Sequence, residues 1–382
     1  MRVAYVNHTG LMSGAERSLL PLLQRLPEGM EPLMLCPDGA MGETVAGLGV
    51  PVIPIPAVEA GMRLHPLRTT MGTAAIAAAA LRVRGICRRH RVELVHANST
   101  RAGLIAAGAR AIGGPPVVVS VHDALPKTAL ARLTRRAIQR RAAAVVACTR
   151  YIANSFGGPR TRVVYYGVEL ERQPDPGRAK RIRAELGLSN APLVLGIVGQ
   201  ITPWKGQDTA IRALAEIRRT MPGATLLLAG EVKFVGRGRR HDNRAYERSL
   251  KALRDRLGLG DAIRFLGERR DVPDLLGALD LLLAPSWQEP GGVAVQEAML
   301  AGTPAIVTSV GGLRELIEDD VSGRLVDPHD HLAWAQAILE LAPDPDRRAR
   351  MAEAAKGAIA AFTPERFVRE TVRVYQSAIE AP

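Results

Sequence analysis

Cysteine is scarce in this sequence. Only Cys36, Cys87 and Cys148 occur among 382 residues, an odd number with no C-x-x-C pair. That argues against a disulfide framework and against a structural zinc site. Aromatic residues make up only 4% of the chain, and no nucleic-acid module is recognisable, so the net charge of +13 does not by itself make this a specific nucleic-acid binder. Long apolar runs are also missing. None reaches the roughly 18 residues of a membrane span, and the Ala-rich run 74–81 is too short. The opening MRVAYVNHTG reads as a strand and a loop, not as a charged-then-apolar leader. The expectation is a cytoplasmic protein with a peripheral contact at the inner membrane face.

Acidic residues are lacking in one half only. Residues 1–172 carry 22 Lys and Arg against 10 Asp and Glu, whereas residues 173–382 carry 29 against 28. The excess in the first half suits an anionic partner or a solvated basic surface. One helical stretch there places Arg132, Arg136 and Arg140 on one face at four-residue spacing, a pattern that could dock an anionic membrane.

Short β-rich apolar runs alternate with helical stretches, which predicts parallel α/β sheets. Strands are expected at 3–7, 32–36, 52–55, 94–96, 117–121, 144–147 and 162–164. A second series is expected at 193–198, 225–229, 263–266, 281–284, 305–308 and 323–326. Helices are expected at 15–26, 70–90, 100–112, 130–141, 150–156 and 178–186, with a last one at about 364–379. The breaker-rich Arg172-Gln173-Pro174-Asp175-Pro176-Gly177 sets the expected domain boundary. The reading is two doubly wound domains, residues 1–172 and 173–363, which bind ligands beyond the carboxyl ends of their strands.

The richest stretch runs from residue 285 to 328. Glu289 sits in a Glu-Pro-Gly-Gly loop and Glu297, eight residues on, in an Ala-rich helical run. Glycines let a backbone approach a ligand closely, and carboxylates accept hydrogen bonds from vicinal hydroxyls. Two acids alone would equally fit a loop acid beside an unrelated helix acid. The surrounding residues decide more. Pro-Ser precedes the first acid and Glu297-Ala298-Met299 carries the second; then come Ala301-Gly302-Thr303-Pro304, the Gly311-Gly312-x-x-Glu315-x-Ile317 run and Gly323-x-Leu325-Val326-x-Pro328. This segment resembles the E-x7-E signature of the retaining family 4 glycosyltransferases, which have the GT-B fold.

The resemblance implies two Rossmann-like domains facing a cleft. The first would bind the acceptor, the second a nucleoside-diphosphate sugar, and the last helix would pack back on the first domain. It assigns donor contacts to Glu289, Gly291, Gly292, Val293 and Glu297, with Glu289 on the sugar hydroxyls and Glu297 on the ribose. Ser13-Gly14-Ala15-Glu16 matches the family's G-G-A-E loop, with Ser13 in place of a glycine, and puts Gly14 near the diphosphate. His122, in Val121-His122-Asp123, matches a histidine that contacts the transferring sugar. Gly199-Gln200-Ile201-Thr202-Pro203-Trp204-Lys205-Gly206 matches the G-R and K-G phosphate clamp, except that Gln200 replaces the arginine. Losing a bidentate guanidinium should weaken the leaving-group contact unless another cation stands in. Arg237, Arg239 and Arg240, in a basic loop that also carries Lys233, are the candidates. His122, Lys205 and Glu289 are the expected catalytic set.

The implied reaction moves a hexose-like sugar to an acceptor hydroxyl with retention of configuration, for cell-envelope glycan, glycolipid or secondary-metabolite synthesis. It needs no cofactor or metal, and UDP or GDP donors are favoured. Two other readings are a sugar-nucleotide isomerase of the same architecture and a non-catalytic nucleotide-sugar binder.

Overall fold

In the computed structural model the described residues are 1–58, 66–233 and 241–380. They form two compact units. The first is Met1–Val168 with Phe362–Pro382, and the second is Glu169–Ala361. The seam falls at Val168 and Glu169, where the sequence reading has Arg172 and Gln173.

The first unit holds a seven-stranded sheet: β1 (Arg2–Val6), β2 (Glu31–Cys36), β3 (Val52–Pro54), β4 (Leu94–Ala97), β5 (Val117–Val121), β6 (Ala144–Ala147) and β7 (Thr161–Val163). The second holds six strands: β8 (Val194–Val198), β9 (Thr225–Ala229), β10 (Ile263–Gly267), β11 (Leu281–Ala284), β12 (Ala305–Thr308) and β13 (Arg324–Val326). The orders are β3-β2-β1-β4-β5-β6-β7 and β10-β9-β8-β11-β12-β13. Every ladder between these strands is parallel. The central strands β4, β5, β6 and β9 are buried along their whole length, which is why Val-Val-Val-Ser-Val and Thr-Leu-Leu-Leu-Ala read as continuous apolar runs rather than alternating ones.

In both orders the chain reverses direction across the sheet after its third strand. This leaves a switch point between β1 and β4 in one unit and between β8 and β11 in the other. Ligands of open α/β sheets bind outside the carboxyl ends of strands at such a point. The loops that matter therefore follow these four strands.

One expected helix is broken. Residues 15–26 form two pieces, Gly14–Arg17 and Leu20–Gln24. Pro21 lies in the first turn of the second piece. It has no N–H to give, and its ring clashes with the carbonyl four residues earlier, so a continuous helix cannot pass it. The last helix, Pro364–Glu380, packs within the first unit against the Leu20–Gln24 helix and the strands β5 and β6. It buries Phe367, Val368, Val372 and Tyr375. The second unit's core gathers Leu195, Ile197, Leu226 and Leu281 from the sheet around Ile211, Leu214 and Trp334 from its helices.

Candidate functional site

In the second unit the loop after β8 leads through a short 3-10 turn, Pro203–Lys205, to Gly206. Gly206 has φ 68° and lies so close to the loop after β11 that a Cβ there would sit 2.1 Å from the Pro285 carbonyl oxygen. The Trp287 amide donates to the Trp204 carbonyl at 2.8 Å. The two loops of the switch point are thus clamped backbone to backbone.

This contact brings Lys205 to Glu289, 84 positions along the chain. Lys205 Nζ donates to Glu289 Oε2 at 2.6 Å and lies 4.6 Å from the centre of the Trp204 ring. Ser286 Oγ donates to the same oxygen at 3.0 Å, and the Gly292 amide donates to Oε1 at 3.3 Å. The Glu289 residue is only 6% exposed. Its own carbonyl accepts from the Gly312 amide at 2.8 Å. Gly311, with φ 73°, makes that approach possible, since a Cβ would stand 2.3 Å from the Glu289 oxygen. Three donors thus satisfy this buried carboxylate. Each of its oxygens can accept more than one hydrogen bond, so it can still receive a hydroxyl.

The helix Val293–Ala301 starts at Gly292, whose φ is 62° and which has no side chain to cap the first turn. First-turn N–H groups with no capping side chain attract negative charge. Gln296 Nε2 holds the Gly291 carbonyl at 2.7 Å. Val293, Ala294 and Glu297 keep partial exposure while Val295, Gln296, Ala298 and Met299 are buried. Glu297 thus lies one turn beyond Val293 on the accessible face. Gln200 follows β8. Its carbonyl accepts from Gln207 Nε2 at 2.9 Å, while its buried side-chain oxygen has no partner among the described residues. Arg237, Arg239 and Arg240 lie outside the described residues. Lys233 bonds Glu268 at 2.8 Å. Beside it, partial burial and the neighbouring Glu268 carboxylate raise the Glu231 carboxyl.

In the first unit, Ser13-Gly14-Ala15-Glu16 forms a tight turn after β1. The buried Glu16 carboxylate accepts from the Ser13 amide at 3.1 Å and from Asn7 Nδ2 at 3.3 Å. A Cβ on Gly14 would meet nothing within 4 Å. Asn98, after β4, donates to the Ala15 carbonyl at 3.3 Å, and its Oδ1 lies 3.0 Å from His122 Nε2. The other ring nitrogen of His122 lies 2.6 Å from the Tyr166 hydroxyl. With Asn98 accepting, Nε2 carries the proton and Nδ1 accepts from Tyr166. Burial pushes His122 down to about 4, so the ring is neutral near pH 7. His96 lies behind it, with Nε2 2.7 Å from Ser120 Oγ and Nδ1 against the Tyr375 hydroxyl. Burial pushes it to about 3. His96, Asn98, Ser120, His122 and Tyr166 line a cavity of about 10 Å³, space for about one water.

The structure thus brings Lys205, Glu289, Gly291, Gly292, Val293 and Glu297 into one neighbourhood, with Gln200 at the start of the same loop. Gly14 and His122 belong to the other unit, joined through Asn98. Sequence reasoning gave no role to Ser286, Asn98 or Tyr166. Ser286 stood inside the quoted motif, but nothing in the sequence pointed to Asn98 or Tyr166. The Asp344-Pro345-Asp346 triplet, which spells Asp-x-Asp, opens a helix, Asp344 accepting from the Arg347 amide at 2.7 Å as its cap. Among the described residues no group of three His, Cys, Asp or Glu is placed to hold a metal ion.

The family described as "Glycosyl transferases group 1" matches residues 179–358, and the "Glycosyl transferase 4-like domain" matches residues 13–168. A D-inositol 3-phosphate glycosyltransferase from Salinispora tropica is 36% identical over 231 residues, covering 58% of this chain and 46% of that protein. One from Nocardioides is 31% identical over 314 residues, covering 75% and 67%. The chain spans about half the length of the first of these. Among solved structures, Anabaena HepE in complex with UDP-glucose superposes with a TM-score of 0.84 at 26% identity, covering 99% of this chain and 100% of that one. The chain belongs to the family 4 glycosyltransferases, with the two parallel-sheet α/β units of the GT-B fold.

Proposed function

We propose that this chain transfers a hexose-like sugar from a nucleoside diphosphate to an acceptor hydroxyl, with retention at the anomeric carbon. The observation that carries the reading is the Lys205–Glu289 pair, fixed at the switch point of the second unit beside the bare helix start at Gly292. Glu289 receives hydroxyls of the sugar, and Glu297 those of the ribose. The C–O bond to the β-phosphate breaks, and negative charge grows on that phosphate. Lys205 and the N–H groups of the first turn stabilise it, an interaction stronger in the transition state than in the ground state. Gln200 supplies amide donors in place of a guanidinium. The acceptor oxygen bonds to the anomeric carbon from the face the diphosphate leaves, and its proton passes to the departing phosphate. In this scheme Gly14 lets the first unit's loop come close to the diphosphate. His122 acts as a neutral, held contact to the sugar and not as a base.

UDP-glucose is the first donor to try, because HepE is solved with UDP and with UDP-glucose. The relatives' name, D-inositol 3-phosphate glycosyltransferase, makes an anionic hydroxyl acceptor the first acceptor class, in keeping with the charge of the first unit. The test is a thermal melt with UDP, GDP and ADP and their glucose esters, followed by NMR of the product anomer. A ligand held by the native state alone adds about 2.7 kcal/mol at one hundred times its dissociation constant. A shift with one nucleotide and an α-linked product from an α-linked donor support the reading. No shift at millimolar nucleotide, or an inverted product, overturns it.

A further inference from the structure

A second basic feature lies in the first unit, away from the loops described above. A groove of about 930 Å³ begins at Pro116 and Ala143, just before β5 and β6, and runs along the edge strand β7 to Tyr165. The loops carrying Asn98 and His122 leave the opposite, carboxyl ends of β4 and β5. The volume falls in the range of about 300–1,000 Å³ usual for ligand sites.

Its walls are dominated by one charge. Arg110, Arg140, Arg141 and Arg160 line it, with Arg162 from β7 and Arg366 and Arg373 from the last helix. The single acid in the lining is Glu370, which is bonded to Arg366 at 2.8 Å. Three of the arginines are oriented by the main chain. Arg110 Nη1 donates to the Gly114 carbonyl at 3.0 Å, Arg160 Nη1 to Ala142 at 2.8 Å and Arg162 Nη1 to Pro159 at 2.8 Å. Each keeps its second terminal nitrogen without a partner among the described residues. A guanidinium held by one nitrogen presents the rest of a rigid fork, which matches phosphate oxygens two at a time. Seven arginines and one acid around a single groove give it a positive potential that a multivalent anion lowers.

We propose that this groove is an anion site for a ligand carrying two or more phosphate groups, separate from the donor loops and independent of the donor reading. The ligand is either a soluble oligophosphate or a phosphorylated lipid headgroup, and the same chemistry serves both. Arg140, Arg141 and Arg373 are exposed and make no hydrogen bond among the described residues, so replacing them leaves the fold's own bonds in place.

The experiment uses the full chain and four proteins: wild type, Arg140→Ala/Arg141→Ala/Arg373→Ala, the charge-matched control Arg88→Ala/Arg89→Ala/Arg91→Ala, and Lys205→Ala. Calorimetric titration with inorganic tripolyphosphate is the first arm. Flotation with vesicles of phosphatidylcholine, with and without cardiolipin, whose headgroup carries two phosphates, is the second, and circular dichroism verifies that each variant is folded. Tripolyphosphate binding that weakens at least tenfold in the groove variant, and is kept in the control and in Lys205→Ala, supports a soluble ligand. The same pattern with anionic vesicles alone supports a headgroup. Absence of both kinds of binding in the wild type overturns the proposal. So does equal weakening in the groove variant and the charge-matched control.

Discussion

The two units share one strand order around their switch points, yet they carry opposite chemistry. Unit one, Met1–Val168 with Phe362–Pro382, has 24 Lys and Arg against 11 Asp and Glu; unit two, Glu169–Ala361, has 27 of each. The neutral unit places a partly buried ion pair at its switch point, whereas the basic unit places a neutral network of His122, Asn98 and Tyr166 there. A shared backbone therefore settles where ligands meet the sheet, and the side chains settle what can be held. Fixed charge at Lys205 and Glu289 suits a ligand whose own charge changes during reaction. Uncharged donors and acceptors suit a ligand that must be oriented without being trapped.

The sharpest break in this comparison is Lys205→Ala. On the proposed mechanism Lys205 is a transition-state donor, whose removal costs about 10²–10³-fold in kcat, and leaving Glu289 without its cation costs roughly 1–3 kcal/mol of stability. Donor turnover and melting temperature measure the two. Loss of activity with an unchanged melt would show that the pair does not support unit two. Next in size is Gly311→Ala. It forces a Cβ to within 2.3 Å of the Glu289 carbonyl at a positive φ, a strain of about 1–3 kcal/mol. Chemical denaturation should show unit two weakened by that amount.

Acid should separate the units. His96 and His122 bind fewer protons folded than unfolded, since burial lowers them from 6.5 to about 3 and about 4. Their contribution is whole above pH 6.5 and is lost as pH falls from there toward 4 and 3, at up to about 1.4 kcal/mol per pH unit for each. In unit two, the hydrogen bonds from Arg172 hold Asp274 at about 2, down from 3.8. Its contribution therefore survives until pH drops below 3.8. All three tryptophans, Trp204, Trp287 and Trp334, lie in unit two. Between pH 6 and 4, far-UV dichroism should report loss of stability while tryptophan emission stays native. Simultaneous loss of both signals would refute separate windows.

The smallest effect is Gly14→Ala. A Cβ there meets nothing within 4 Å among the described residues outside its own turn, so stability should change by no more than about 0.5 kcal/mol. A drop in donor turnover would then report a contact with the ligand itself. Unchanged turnover would remove Gly14 from the donor site.

Most of the fold was legible because parallel strands buried on both faces leave unbroken aliphatic runs. Those at β5, β6, β9, β11 and β12 end at the expected residues. The break at Pro21 was legible in principle, and only the helical pattern around it hid it. Glu289 and Lys205 were each readable from local motifs. Their contact was not, because it depends on the strand order that makes β8 and β11 neighbours. The need for glycine at 206 and 311 was hidden for the same reason: each faces a carbonyl from a distant segment. The arginine groove was illegible altogether. Its residues sit at 110, 140, 160 and 373, and only the return of the last helix gathers them.

That return has a consequence for synthesis. Tyr375, fully buried against His96, is made after all of unit two. The contiguous second unit is therefore synthesised in full before the first, begun earlier, receives the helix that covers β5 and β6. The part of the chain that is translated first is completed last. A released chain truncated after residue 361 should be protease-resistant across unit two and sensitive across unit one. In the interval the uncovered face of the first sheet is the stretch a chaperone would have to guard.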